Sequence, residues 1–229
     1  MRVLLILIGC LTMSLNAHRS VEDGISAHNA GNYTLAYRHF SEAAANGSPA
    51  GKHLLASLYY QGHGVQKDIK RAVALFTEAA EAGFAPSLAN LSLMYSTGDG
   101  VPQSQVKAVE YGRKAADAGD LQSQFNLGQR YRRGDGVPQD YTEAVRWYKK
   151  AAEAGYRPAQ NEYGLMFAQG QSVPLDYVQA YAWINIPAEA GDEQARKNRT
   201  QLLQILKAAD LQRAKELAAE YMRTYGQRQ

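Results

Sequence analysis

Apolar and small residues recur along this chain in columns spaced 36 residues apart, and each column keeps its residue class. One column reads Leu55, Leu91, Leu127, Tyr163; the next position reads Ala56, Ser92, Gly128, Gly164. Three residues on stand Tyr59, Tyr95, Tyr131 and Phe167, so large and small side chains alternate on one face at helical spacing. A second set has Ala72, Ala108, Ala144, Ala180 and, eight later, Ala80, Ala116, Ala152, Ala188. Between them lies the bulky column Leu75, Tyr111, Trp147, Trp183. The pattern predicts two helices per period, small where they cross and large where they interlock. Neither helix has enough apolar surface to stand alone, so neighbours must stack.

The segments between the helices are equally regular: Gly62-His63-Gly64-Val65, Gly98-Asp99-Gly100-Val101 and Gly134-Asp135-Gly136-Val137. Glycine there serves a positive φ after a helix end. Pro102, Pro138 and Pro174 stop the first helix, and Asp68, Asp140 and Asp176 occupy the N-cap of the second. A fixed period of this size marks a stacked-repeat architecture, all-α and built of helix-turn-helix units.

Four full units cover 48–191: Ser48–Gly83, Phe84–Gly119, Asp120–Gly155 and Tyr156–Gly191. A shorter unit at 18–47 precedes them. Its Ala36, Phe40 and Ala44 fall in register, but 12 residues separate Gly24 from Ala36 where 16 separate Ala56 from Ala72. The last unit departs twice: Gln171-Ser172 replaces the second glycine, and Pro187 enters a column held by Ala79, Ala115 and Ala151. A proline there is expected to bend that helix or end it early. Beyond Gly191 the period stops, and Asp192–Ala208 and Asp210–Tyr225 read as two helices of a C-terminal cap over 192–229.

Residues 1–17 differ in kind. Arg2 followed by the apolar run Val3 to Leu15 reads as a signal peptide, with an uncleaved anchor as the alternative. Cys10, the single cysteine, lies in Leu7-Ile8-Gly9-Cys10, which resembles a lipoprotein box and makes Cys10 a candidate for acylation. The expected location is therefore periplasmic or secreted, or membrane-anchored through residues 1–17. A mature chain without cysteine has no disulfide or thiolate chemistry. The net charge of +3 from nearly balanced acids and bases argues against nucleic acid or an anionic membrane as partner.

The pattern Leu127-Gly128, Tyr131, Gly134-Asp135-Gly136-Val137-Pro138, Asp140, Ala144, Trp147-Tyr148, Ala151-Ala152, Gly155 resembles the Sel-one-like repeat family, a branch of the tetratricopeptide-type repeats. The resemblance spans 48–191, and more loosely 24–47. It implies a right-handed α/α superhelical solenoid, often exported, acting as an adaptor in complex assembly or signalling. It also implies a concave groove lined by first-helix residues that bind a protein or peptide. Carried over by column, these are His53, Asn90, Leu93, Phe125, Asn126, Gln129, Arg133, Asn161 and Glu162, with Leu54, Ser57 and Leu165 beside them. Carboxamides and a guanidinium at that pitch suit a peptide backbone or a terminal carboxylate. Oligomeric state is left open.

Some family members are linked to β-lactams, so an envelope enzyme or ligand-binder acting on peptidoglycan or β-lactams is the alternative. Ser104-Gln105-Val106-Lys107 matches a Ser-x-x-Lys element, but Ser104 falls in the N-cap column and the companion motifs are missing. The histidines His18, His28, His39, His53 and His63 show no i, i+4 pairing, so neither a metal site nor a cofactor is expected. The Gly-x-Gly segments follow no strand and read as turns.

Overall fold

A computed structural model describes residues 17–226. The signal-segment expectation and Cys10 lie outside the described residues, apart from Ala17 itself. Every regular element described is an α-helix: α1 (17–29), α2 (Tyr33–Ala45), α3 (Pro49–Gln61), α4 (Ile69–Glu81), α5 (Ala85–Thr97), α6 (Gln105–Asp117), α7 (Leu121–Arg133), α8 (Tyr141–Glu153), α9 (Arg157–Gln169), α10 (Tyr177–Glu189), α11 (Glu193–Ile205) and α12 (Ala208–Tyr225). The expected all-α fold of helix-pair repeats is what the chain adopts. Two compact units divide it, one ending at Ala118 and one beginning at Gly119. In the first, α2 to α6 pack consecutively; in the second, α7 to α10 do so, and both α11 and α12 pack on α10.

The columns account for the packing. Leu55, Leu91, Leu127 and Tyr163 are buried, as are Ala72, Ala108, Ala144 and Ala180. The small column works as a seat for a large one twenty residues later. A Cβ on Gly128 would stand 2.7 Å from the Tyr148 ring, and one on Gly164 would stand 2.6 Å from Ile184 Cγ1. Where the large position is itself small, at Gly112, the seat is filled from the other side by Ser92, whose hydroxyl donates to the Ala108 carbonyl at 2.7 Å.

Each joint inside a repeat closes the same way. Gly62, Gly98, Gly134 and Gly170 take φ between 63° and 79° and donate back into the preceding turn. The capping residue then donates its own N–H to the aromatic column: Asp68 to Tyr59, Ser104 to Tyr95, Asp140 to Tyr131 and Asp176 to Phe167, at 2.8–3.1 Å. Its side chain accepts from the first free amides of the next helix, as for Asp68 with Arg71 N at 2.9 Å. The first joint is shorter, with Gly31 at φ 77° and Asn32 donating to Ala27 at 2.9 Å.

Pro187 does not end its helix early. It lies inside α10, which runs to Glu189 and is no shorter than its counterparts. Proline has no N–H to give the carbonyl of Trp183, but so near the helix end the loss is a single bond. Its own carbonyl accepts from Asp192 N at 3.0 Å, as Ala79 does from Phe84 and Ala151 from Tyr156. The other departure shows as backbone: Ser172 takes φ 54° where glycines stand in the other repeats. At the C-terminus Ala214 and Ala218 of α12 are buried in one cluster with Ala180 and Ile184, and Gln160 Nε2 reaches the Tyr225 carbonyl at 3.2 Å.

Candidate functional site

The sequence-derived site residues separate into two kinds, those wedged between helix pairs and those on first-helix surface. His53 packs between the Phe76 and Phe84 rings, each with its centroid 5.3 Å away, and its Nδ1 is 2.9 Å from the hydroxyl of buried Ser87. Phe125, two periods later, repeats this with Tyr148 at 5.9 Å and Tyr156 at 5.6 Å. Asn161 in the same column is 8% exposed and accepts from Asn198 Nδ2 of α11 at 2.9 Å. Asn161 is therefore buried rather than on an open face, while His53 and Phe125 are half-buried. The column points along the stack, into the seam with the next pair. Burial holds the His53 imidazole down at about 4, well below its usual range.

The remaining positions are on accessible surface. In the first unit a cleft of about 460 Å³ opens where α3 meets α5, lined by Ser57, Phe76, Asn90, Leu93, Met94 and Asp99. Leu93 is 63% exposed, a large aliphatic side chain presented rather than packed. The Tyr60 hydroxyl donates to the Asp99 carboxylate at the rim, which raises the Tyr60 pKa. In the second unit Asn126 is exposed and accepts from Gln122 Nε2 at 2.9 Å, while Gln122 Oε1 accepts from the Tyr156 hydroxyl. Arg133 is exposed and Gln129 half-buried. Glu162 Oε2 lies 3.7 Å from Arg132 Nη2.

Ser104 stands at the N-cap of α6, where its hydroxyl accepts from Lys107 N at 3.3 Å. That is the service Asp68, Asp140 and Asp176 give their own helices. Among the described residues no three His, Cys, Asp or Glu side chains converge as a metal site would require. None of the described helices is long and apolar enough to cross a membrane.

Tyr60, Arg132 and Tyr148 stand beside these positions without any signal in the sequence that singles them out. Tyr60 and Arg132 share one column with Ser96 and Ala168, which keeps no residue class and so carries no periodic signal. Tyr148 follows Phe40 and Phe76 in a packing column, and its hydroxyl is invisible to a test for hydrophobic spacing.

The Sel1 repeat family model matches residues 23–48, 49–84, 85–120, 121–156 and 157–192. Among solved structures the chain is similar to a Sel1 repeat protein from Oxalobacter formigenes, at 32% identity and TM-score 0.74, covering 88% of this chain and 84% of that one. It is also similar to a protective antigen of uropathogenic Escherichia coli displaying an SLR fold, at 26% identity and TM-score 0.52, covering 85% of this chain and 57% of that one. The search of curated proteins found no match. With five consecutive matches and a relative of that identity aligned along most of both lengths, the chain belongs to the Sel1 repeat family.

Proposed function

We propose that this protein is an exported scaffold that holds an extended segment of a protein partner against its first-helix surface and so brings complexes together. Sel1 repeats are generally a protein-interaction fold, and the reading goes beyond that by naming the surface. It is carried by the cleft at α3 and α5, where Leu93 is 63% exposed beside the Asn90 carboxamide. An apolar anchor site flanked by an amide suits an extended chain, which offers alternating side chains and free backbone groups. Export rests on the pattern of residues 1–17 and is checked by cell fractionation of the full-length chain.

The test is selection of displayed peptides on the full chain, followed by affinity measurement on the Leu93→Asp variant. Leu93 contributes little to the core, so the variant should melt within a degree or two of wild type and bind selected peptides at least tenfold more weakly. Unchanged binding would remove this surface from the account.

A further inference from the structure

Two periods on from the first-unit cleft, the same positions carry different chemistry. Ser57, Tyr60, Gln61, Phe76, Asn90 and Asp99 correspond to Gln129, Arg132, Arg133, Tyr148, Glu162 and Gln171. In the first unit the polar pair satisfies itself, since Tyr60 donates to Asp99. In the second, Arg132 Nε, Tyr148 Oη and Gln171 Oε1 are all buried without a hydrogen-bond partner among the described residues. Tyr148 is 0% exposed, and the Arg132 guanidinium stands beside its hydroxyl without forming a well-shaped bond. Glu162 and Arg133 are the other charges that act on that hydroxyl.

Packing does not require the Tyr148 hydroxyl. Phe76 fills the equivalent position two periods earlier and is equally buried. A buried hydroxyl without a partner lowers stability, so a phenylalanine there would be the cheaper residue. The three unbonded atoms lie beneath an edge that borders solvent, where the Arg132 and Glu162 side chains are 30% and 20% exposed, so a ligand would reach them by displacing Glu162. Their 3.7 Å separation exceeds that of a well-made charge-assisted bond, so Glu162 leaves the fork of Arg132 incompletely engaged. Two guanidinia against one carboxylate leave one net positive charge.

We propose that Arg132 and Tyr148, where α7, α8 and α9 meet, bind a carboxylate of the peptide partner, with Arg133 steering it and Gln171 Oε1 accepting an adjacent amide N–H. The proposal rests on the peptide-scaffold reading and names the chemistry of its second-unit end. Burial pushes the Tyr148 hydroxyl up to about 12, so at neutral pH it is protonated and donates. A planar guanidinium with a hydroxyl beside it matches the two oxygens of a carboxylate. A phosphate dianion would set a second negative charge against Glu162.

The full ¹⁵N-labelled chain should be titrated with acetyl-Ala-Ala-Ala-OH, acetyl-Ala-Glu-Ala-NH2, the neutral acetyl-Ala-Ala-Ala-NH2 and inorganic phosphate, following the Arg132 Nε–H resonance. At least one carboxylate peptide is expected to bind tenfold or more tighter than the neutral one, and the two together separate a chain terminus from an acidic side chain. Tyr148→Phe should weaken that binding about tenfold while holding or raising the melting temperature, and Glu162→Gln should tighten it severalfold. Equal binding of the neutral peptide or of phosphate, or a Tyr148→Phe variant that melts lower with unchanged affinity, overturns the carboxylate site. Failure here with Leu93-dependent peptide binding intact removes only this site; loss of Leu93 dependence removes the scaffold surface itself.

Discussion

Acidification should weaken the first unit through His53 before its carboxylates begin to protonate. The imidazole is wedged between Phe76 and Phe84 with Nδ1 on Ser87, and burial holds its pKa at about 4 against about 6.5 in an unfolded chain. Because the folded value is the lower, the neutral ring's contribution is complete above pH 6.5 and is lost as pH falls towards 4. A difference of about 2.5 units corresponds to about 3 kcal/mol once both states are protonated, and about 2 kcal/mol of that is gone by pH 5. Urea unfolding at pH 7.5, 6 and 5, followed by circular dichroism, should show this fall in the wild type. His53→Gln keeps a polar group for Ser87 but cannot titrate, so it should start lower and flatten over the same range. Subtracting one chain from the other removes the other histidines. The reasoning is refuted if the two chains lose stability in parallel, or if the His53 ring proton titrates near pH 6.5 by NMR.

The seat at Gly128 is already filled by the Tyr148 ring, which a Cβ there would meet at 2.7 Å, so Gly128→Leu should cost about 1–3 kcal/mol; a wild-type melting temperature would contradict the packing described. Ser172 is held at φ 54°, a region that costs a non-glycine residue about 1–2 kcal/mol. Ser172→Gly should therefore stabilise the second unit by about 0.5–1 kcal/mol, reduced by loss of the exposed 3.2 Å bond to Thr142, and denaturant midpoints would reveal the sign.

The repeat was legible because its physics is local. Helix pairs, capping aspartates and small-against-large seats all arise within one period, so their residue types recur in step. What failed to show depends on the neighbour a column meets. His53, Phe125 and Asn161 share a column, yet the first two meet aromatic rings and the third meets Asn198 of a helix lying beyond the last periodic glycine. Pro187 was legible as a proline but not as a residue whose carbonyl still caps the helix end. The Arg132 and Tyr148 cluster was not legible, because which polar atoms are left without a bond depends on how three helices pack rather than on residue type.

The amide-to-carbonyl link from each capping residue to its aromatic column joins atoms nine positions apart, as from Asp68 to Tyr59. The backbone of each such elbow is therefore closed by its own few residues, while its side chains lean on the preceding repeat, as Asp99 does on Tyr60 and Ser172 on Thr142. Crossing the coding region between equivalent points of two elbows would lengthen or shorten the protein by one whole module and leave an intact hinge at the splice. Module number is thus free to change in single steps, and with it the reach available for whatever chain lies alongside.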